Sequence, residues 1–424
     1  MPDDIKRLFP FFAANPGIVY LDSAATALKP QSVIDALVRY NTHESVNVHR
    51  GVYRLSQRAT DTVESVRART AAFVSADPDA TAVFTKGTTE GFNLLAHALT
   101  SPKSKLADFF PAYASAKPAA ILLSDSEHHA NIVPWQIAAE RSGHKLIYIP
   151  TDADGNLKIE RAFLEKIAST YSLQVVSLSL QSNVTGIIHD LSDIRAFARA
   201  QGAAFVIDAA QAIVHVPQLI KDFGADFVAF SGHKLFSSTG IGAVVAQKAL
   251  LDSCDVYQGG GGMISLVEHE RSTYISAPAK FEAGTQPIGE IYALGEALRF
   301  AGEHAATIHA VEKDLLEYAD AALEKTGVRI FGKTGRHRSP LYSFEIPGVH
   351  AHDTGTLLDE QDICIRAGHH CCQPLMRSLG VSATARASFS VYNTRDDVDR
   401  LIDGIGYVKK IFCKDGRNEN HKAS

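Results

Sequence analysis

The sequence predicts an α/β protein built on a parallel sheet that helices cover on both faces. Between about residues 80 and 250, short apolar runs alternate with longer segments that have helical spacing. The runs are almost continuously apolar, which is typical of strands buried on both faces of a parallel sheet. The predicted strands are AVF at 82–84, AAILLS at 119–124, VVSLSL at 175–180, AFVID at 204–208, FVAFS at 227–231 and GAVVA at 242–246.

Helical segments connect most of these strands. KGTTEGFNLLAHAL follows the first strand with helical spacing, and a second helix begins near Pro134, because proline is favoured in a first helical turn. The connection at 100–118, SPKSKLADFFPAYASAKPA, is rich in Pro, Ser and Lys. Its aromatic centre, FFPAY, argues against a simple solvated linker.

A second, smaller α+β region follows the loop FEAGTQP at 281–287. Two long helical patterns cover roughly 288–326, and then come the strand LYSFEI at 341–346 and a helix at 353–361. ICIRAGHHCC and ARASFSVY complete this region. The predicted divisions are a large domain at 20–295, a small domain at 1–19 plus 296–412, and a polar, disordered tail at 413–424.

Composition indicates an ordinary globular protein of the cytoplasm. The 424 residues are 46% hydrophobic and carry a net charge of −5, with no basic stripe of the kind that binds nucleic acid. No apolar run reaches the roughly 18 residues of a membrane span, and MPDDIKRLFPFF lacks the features of a secretory signal. An odd, sparse set of cysteines favours free thiols in a reducing compartment. They are Cys254, Cys364, Cys371, Cys372 and Cys413.

Polar residues that follow the strands are the candidates for chemistry, since ligands bind beyond the carboxyl ends of parallel strands. GTTEG places Thr88 and Thr89 at a helix start, where free N–H groups favour a phosphate. A plain helix cap is the other interpretation. His128 in EHHAN is suited to stacking on a planar ring or to moving protons, although many such histidines are only surface groups.

Two further strand ends carry charged residues. Asp208 closes AFVID, so it needs a cationic partner, either a protonated pyridine nitrogen or an arginine or lysine from elsewhere. Lys234 in SGHK is placed to form a Schiff base with a carbonyl cofactor, although most lysines are simply solvated. Chance placement of the whole series along one sheet is very improbable. The polar segments follow one another in the order GTTEG, EHHAN, SNVTG, DAAQ and SGHK.

With these residues the sequence resembles the aminotransferase class V family, and within it the group II (SufS-like) cysteine desulfurases. The resemblance runs from YLDSAAT at 20–26 to RASFSVYNT at 386–394. It implies the fold type I of pyridoxal-phosphate-dependent transferases, which has a mainly parallel seven-stranded sheet and a smaller α+β C-terminal domain. The segments that carry it are LDSAAT, NVHRG, GTTEGFNLLAH, EHHANIVPWQ, SNVTG, DAAQ, FSGHKL, FEAGTQ and RAGHHC.

The resemblance implies a role for each matching residue around pyridoxal 5′-phosphate. Lys234 would form the Schiff base and take the substrate Cα proton, and Asp208 would pair with the pyridinium nitrogen. Gln211 would contact the phenolic oxygen, and His128 would stack on the ring. The residues implied to hold the phosphate are Thr88, Thr89, Ser231 and His233.

RAGHHCCQPL at 366–375 specifies the reaction that the resemblance implies. A cysteine after R-x-G-x-H is the sulfur acceptor in this family, which assigns that role to Cys371. A cationic setting lowers a thiol pKa, and Arg366, His369 and His370 are candidates to supply it. The residues expected near the substrate are Asn183, Arg366, His370 and Arg386, with Arg386 binding the carboxylate.

The family also implies partners. Thr285 in the FEAGT loop would reach the phosphate site of a partner subunit, so a homodimer with shared active sites is expected. L-cysteine would be converted to L-alanine, and the sulfur would pass to a SufE- or SufU-like acceptor for iron–sulfur cluster assembly. Two features depart from the family pattern, namely Cys372, where small residues are usual, and the long connection at 100–118.

Alternatives remain at this stage. A selenocysteine lyase or a cysteine-sulfinate desulfinase would share the same fold. HHCC at 369–372 could be a metal site with Cys364 or Cys413, but structural zinc ligands are usually spaced along the chain, so no metal is expected. A scaffold without catalysis is the third reading, and it is weakened because every expected catalytic position is filled.

Overall fold

The computed structural model describes residues 2–333 and 337–414. The helices within these ranges are α1 (Pro2–Lys6), α2 (Phe11–Ala14), α3 (Gln31–His43), α4 (Arg54–Val74), α5 (Thr88–Thr100), α6 (Val133–Ser142), α7 (Arg161–Thr170), α8 (Ser192–Gln201), α9 (Ala212–His215), α10 (Pro217–Phe223), α11 (Lys248–Ser253), α12 (Ile288–Glu303), α13 (Ala305–Glu324), α14 (Ala351–Asp359), α15 (Gln373–Ser378) and α16 (Arg395–Lys414). The strands are β1 (Val19–Tyr20), β2 (Ala80–Thr85), β3 (Ala119–Ser124), β4 (Lys145–Ile149), β5 (Ser172–Ser179), β6 (Ala204–Asp208), β7 (Phe227–Ser231), β8 (Gly242–Gln247), β9 (Ile264–Val267), β10 (Ser272–Tyr274), β11 (Arg329–Phe331), β12 (Leu341–Glu345), β13 (Ile363–Cys364), β14 (Arg366–Gly368) and β15 (Thr384–Ser388).

The main sheet has the strand order β2-β8-β7-β6-β5-β3-β4, seven strands within the described residues. Strands β3 to β7 pair in parallel, and β8 runs antiparallel to both of its neighbours. The reversal of β8 follows from its short connection, residues 232–241, because a return to a parallel strand needs a crossover of a dozen or more residues. The predicted α/β class with a mainly parallel seven-stranded sheet is confirmed.

Alternate residues of each strand enter opposite apolar layers. In β3, Leu122 packs into one buried cluster, whereas Ile121 and Leu123 pack into the other. The 100–118 connection belongs to the second layer, where Leu106 and Phe110 are buried. The connection therefore covers part of one sheet face and is not a solvated linker.

The smaller region is built on an antiparallel sheet with the order β11-β12-β15-β14, packed by α13, α14 and α16. Strand β1 pairs in parallel with β13, which joins Val19 to Ile363. Helix α12 runs through the predicted domain boundary at residue 295, and α16 includes residues 413 and 414, which had been assigned to the tail. The rest of that predicted tail, 415–424, lies outside the described residues. None of the helices in the described ranges has the length and apolar character needed to cross a membrane.

A buried ion pair ties α4 to the loop before α12. The Arg67 guanidinium donates to both carboxylate oxygens of Glu282, from Nη1 at 2.5 Å and from Nη2 at 3.0 Å. The Phe84 N–H also donates to Glu282 Oε1, at 2.8 Å, so β2 is part of the same junction. Glu64 contacts the Arg67 Nε from the exposed side. Because Arg67 and Glu282 are both buried, the loss of one would leave an uncompensated charge.

We expect Glu282→Gln to lower the free energy of unfolding by about 3 kcal/mol, because it removes one partner of a buried ion pair. Glu64→Gln is the matched control, and it should cost about 1 kcal/mol or less, because the Glu64 carboxylate is half exposed. Urea unfolding of the three proteins under identical conditions measures both changes. Equal losses in the two variants would contradict the buried role of Glu282.

Candidate active site

A cavity of about 220 Å³ opens at the carboxyl ends of β5, β6 and β7. Its walls contain most of the residues that the sequence analysis selected, although they are spread over some 300 positions of the chain. Cys371, His370 and Thr285 are not among the wall residues. The predicted residues that line the cavity are Thr88, Thr89, His128, Asn183, Asp208, Gln211, Ser231, His233, Lys234, Arg366 and Arg386.

Lys234 and Asp208 are oppositely charged residues that line the cavity. Asp208 is the last residue of β6, and Lys234 ends a single 3-10 turn directly after β7. Burial lowers the pKa of Lys234 to about 8, although Asp208 opposes the shift. Burial raises the pKa of Asp208 to about 6, against the N–H of Ala210 and the charge of Lys234. A lysine with this pKa has a substantial neutral, nucleophilic fraction near neutral pH.

His128 presents a neutral imidazole. Burial, followed by the charge of Lys234, lowers the pKa of His128 to about 3. Its Nδ1 accepts a hydrogen bond from the Ala130 N–H at 3.0 Å, and this bond holds the ring in place. A neutral, fixed ring on the cavity wall is suited to stacking on a planar ligand.

Glu127 is a buried residue near the cavity to which the sequence analysis assigned no role. The Glu127 carboxylate is buried and accepts hydrogen bonds from Ser124, Asn131 and the N–H and Oγ of Ser179. Burial raises the pKa of Glu127 to about 7 in spite of these donors. A sequence signal for Glu127 did exist, because it follows β3 in the segment EHHAN, next to the predicted site residue His128.

The cavity residues at the start of α5 and after β7 have the features of an anion site. The Thr88 N–H at the start of α5 donates to Ser231 Oγ at 2.8 Å, and the two hydroxyls lie 2.7 Å apart. Gly87 has a φ of 148°, and a Cβ there would lie 3.1 Å from Ser231 Oγ. His233 Nδ1 is buried, and within the described residues it has no hydrogen-bond partner. A helix N-terminus is a favourable place for a phosphate.

Arg386 provides a buried cation on another wall. Its Nη2 donates to Asp22 Oδ1 at 3.0 Å, and its Nη1 donates to the main-chain oxygen of Asn183 at 2.8 Å. No partner for Arg386 Nε occurs among the residues that the structure describes. Arg386 therefore keeps donor capacity for the carboxylate of an amino-acid substrate. Gln211 is held by donation from Nε2 to the Ala24 oxygen at 2.8 Å.

Cys371 lies beside the cavity, on a tight loop. Its Sγ is 3.8 Å from Arg366 Nη2, and Arg366 lines the cavity. The His129 N–H donates to the Cys371 oxygen at 2.7 Å, which fastens the loop to the segment that carries His128. Arg366 thus supplies a positive charge close to the thiol.

His370 does not provide the charge that was expected from it. Its ring is buried away from the cavity, and Nε2 is hydrogen-bonded to the hydroxyl and main-chain oxygen of Thr384. Burial, together with Arg386 and Arg366, lowers the pKa of His370 well below its usual value, so the ring is neutral. The four HHCC side chains have different partners, with His369 against His129 and Cys372 on Asn183. They do not converge on one ion.

Thr285 lies outside the cavity of its own chain. It is exposed on the wall of a separate cavity of about 550 Å³. Residues 47–50 of the NVHRG segment and the ion pair of Arg67 with Glu282 also line that cavity. A single chain therefore does not bring Thr285 to Lys234.

The chain matches the aminotransferase class-V family over residues 19–401. A probable cysteine desulfurase of Halalkalibacterium halodurans is 39% identical, over 96% of this chain and 98% of its own length. A cysteine desulfurase of Haloferax volcanii is also 39% identical, over 93% of this chain and 90% of its own.

Two solved structures are similar over nearly the whole chain. The apo cysteine desulfurase of Thermococcus onnurineus has a TM-score of 0.86 and 33% identity, covering 97% of this chain and 98% of that one. The cysteine desulfurase CsdA of Escherichia coli, in an S-sulfonic acid form, has a TM-score of 0.84 and 35% identity, covering 97% and 99%. These similarities confirm the fold that the sequence resemblance implied. The chain belongs to the aminotransferase class V family.

Proposed function

We propose that this protein is a cysteine desulfurase, which converts L-cysteine to L-alanine and holds the sulfur as a persulfide on Cys371. The observation that carries the proposal is the position of the Cys371 thiol, 3.8 Å from an arginine of a cavity that also contains Lys234, Asp208 and Arg386. The names of the similar proteins support the same activity.

Pyridoxal 5′-phosphate fits the residues of the cavity. Lys234 offers the amine, Asp208 the carboxylate for a ring nitrogen, and His128 a neutral ring to stack on. When bound, the cofactor withdraws electrons from the substrate's Cα. Gln211 also lines the cavity, and the proposal assigns it to the phenolic oxygen. The residues proposed for the phosphate are Thr88, Thr89, Ser231 and His233.

The chain's own groups then have distinct tasks. Arg386 and Asn183 bind the substrate carboxylate, and Lys234 in its neutral form takes the Cα proton. The Cys371 sulfur, which lies 3.8 Å from Arg366 Nη2, attacks the substrate sulfur. A sulfur–sulfur bond forms and the Cβ–sulfur bond breaks, with its electrons returning to the carbon skeleton that leaves as alanine. Holding the two sulfurs together is mainly a proximity effect.

The active form that we propose is a homodimer in which Thr285 completes the phosphate site of the partner. Its exposure in the single chain supports this, because the side chain has room for a partner. A SufE- or SufU-like acceptor would take the sulfur for iron–sulfur cluster assembly. The cytoplasm is the proposed compartment, since Cys254, Cys364, Cys371 and Cys372 are free thiols.

Lys234→Ala should abolish the yellow, borohydride-sensitive colour and reduce alanine formation by roughly 10²- to 10⁴-fold, because the amine and the base are both lost. Absorbance and alanine release from cysteine measure the two effects. Lys280→Ala is the matched control, since Lys280 is another buried lysine but lies outside the cavity. Normal turnover by the Lys234 variant would show that the cofactor assignment is wrong.

Cys371→Ser should keep the cofactor yet nearly eliminate alanine formation from cysteine, because a hydroxyl cannot accept the sulfur. Mass spectrometry after brief exposure to cysteine should find added sulfur on the peptide with residue 371 in the wild type only. Cys364→Ser, at another partly buried thiol, should retain activity. Rates of alanine formation from cysteine, selenocysteine and cysteine sulfinate, measured under the same conditions, identify the preferred substrate. Persulfide formation at the wild-type rate in the Cys371 variant would overturn the assignment.

Thr285→Ala should weaken cofactor retention by about tenfold, which is the loss expected for one hydrogen bond to a charged group. Dialysis followed by absorbance measures the retention. Thr356→Ala is the control, since Thr356 is exposed on α14 in the smaller region. A fully active monomer at low protein concentration, seen by sedimentation, would argue against shared sites.

A further inference from the structure

Cys372 is a cysteine that has no role in the proposed mechanism. It is adjacent to Cys371, yet its side chain is 0% exposed and packs with Val184, Leu375 and Met376. Its Sγ lies 3.0 Å from Asn183 Oδ1. Cys372 is therefore turned away from solvent and towards a residue of the cavity wall.

The hydrogen bonds of Asn183 fix the orientation of its amide. Nδ2 lies 2.8 Å from the main-chain oxygen of His370, which can only accept a hydrogen bond. Nδ2 must therefore face His370, and Oδ1 must face Cys372. The Cys372 thiol is the donor in this arrangement, and burial raises its pKa, which keeps it protonated.

The turn at residues 370–371 has an unfavourable backbone conformation that the hydrogen bond from Asn183 helps to hold. His370 and Cys371 both have positive φ angles, 51° and 57°, in a region that residues other than glycine seldom adopt. Such a conformation persists only where its surroundings hold it. Asn183 holds the His370 oxygen, and its own main-chain oxygen accepts from Arg386 Nη1 at 2.8 Å. One residue thus joins the turn to the cation proposed for the substrate carboxylate.

We propose that Cys372 is a positioning residue, whose S–H donation to Asn183 Oδ1 orients the amide that supports the 370–371 turn and so sets the position of the Cys371 thiol. This inference rests on the proposed desulfurase function for its effect on turnover. Its effect on the turn itself does not depend on that function.

Two substitutions separate the hydrogen bond from simple packing. Cys372→Ala removes the donor, whereas Cys372→Ser retains one at nearly the same size. In the alanine variant, kcat for alanine formation should fall roughly threefold to tenfold, the effect expected for one neutral hydrogen bond. Alkylation of Cys371 by iodoacetamide, measured on the holoenzyme without cysteine, should become faster by a similar factor. The serine variant should restore both values most of the way towards wild type.

The matched control is the same pair of substitutions at Cys254, a buried thiol in a different apolar cluster. Neither Cys254 variant should change the alkylation rate of Cys371. If the alanine variant at 372 does not fold, Cys372→Val, which fills the space without a donor, replaces it.

Wild-type alkylation rates in both Cys372 variants would overturn the inference, and so would equal changes in the serine and alanine variants, because packing alone would then explain them. A wild-type enzyme that releases no alanine would instead refute the proposed function. The alkylation comparison would still test the turn in that case.

Discussion

The parallel pairing of β3, β5, β6 and β7 is the constraint on which the site depends. Because the chain crosses back over the sheet between such strands, their carboxyl ends lie at one edge. Asp208 ends β6 and is paired in register with Ser179 at the end of β5, and Ser231 ends β7 beside Lys234. Apolar layers bury both faces of these strands, so the functional residues cannot shift without disturbing the close-packed core.

The burial that fixes these residues also shifts their pKa values. Burial is the largest cause of the pKa shift for Lys234, Asp208, Glu127 and His128, and each shift favours the neutral form. The buried site therefore disfavours the charged form of each of these four groups. Charges brought in by a ligand interact with them more strongly than they would in water. Burial also lowers the pKa of Arg386, although the adjacent Asp22 carboxylate opposes the shift.

The sequence was sufficient for the parts of the fold that follow from local pattern. Most strands of the main sheet and the helix that starts at Thr88 were predicted correctly, because the spacing of apolar residues within a short segment indicates each of them. The direction of β8 was not predicted, although the short connection between the predicted strands at 227–231 and 242–246 was a signal for it. Strand β4 was missed because this edge strand is only partly buried. The contact of Asn183 with His370 joins residues 187 positions apart, so no local signal could indicate it.

The pairing of β1 with β13 has a consequence for synthesis of the chain. Val19 meets Ile363, more than 340 residues later in the sequence. At about 5–20 residues per second, a ribosome needs roughly 20 to 70 s to make the intervening chain. During that interval the apolar amino-terminal segment is present without its partner strand. Residues of β1 are thus translated long before they can pair with β13, and the nascent chain must carry them without aggregating.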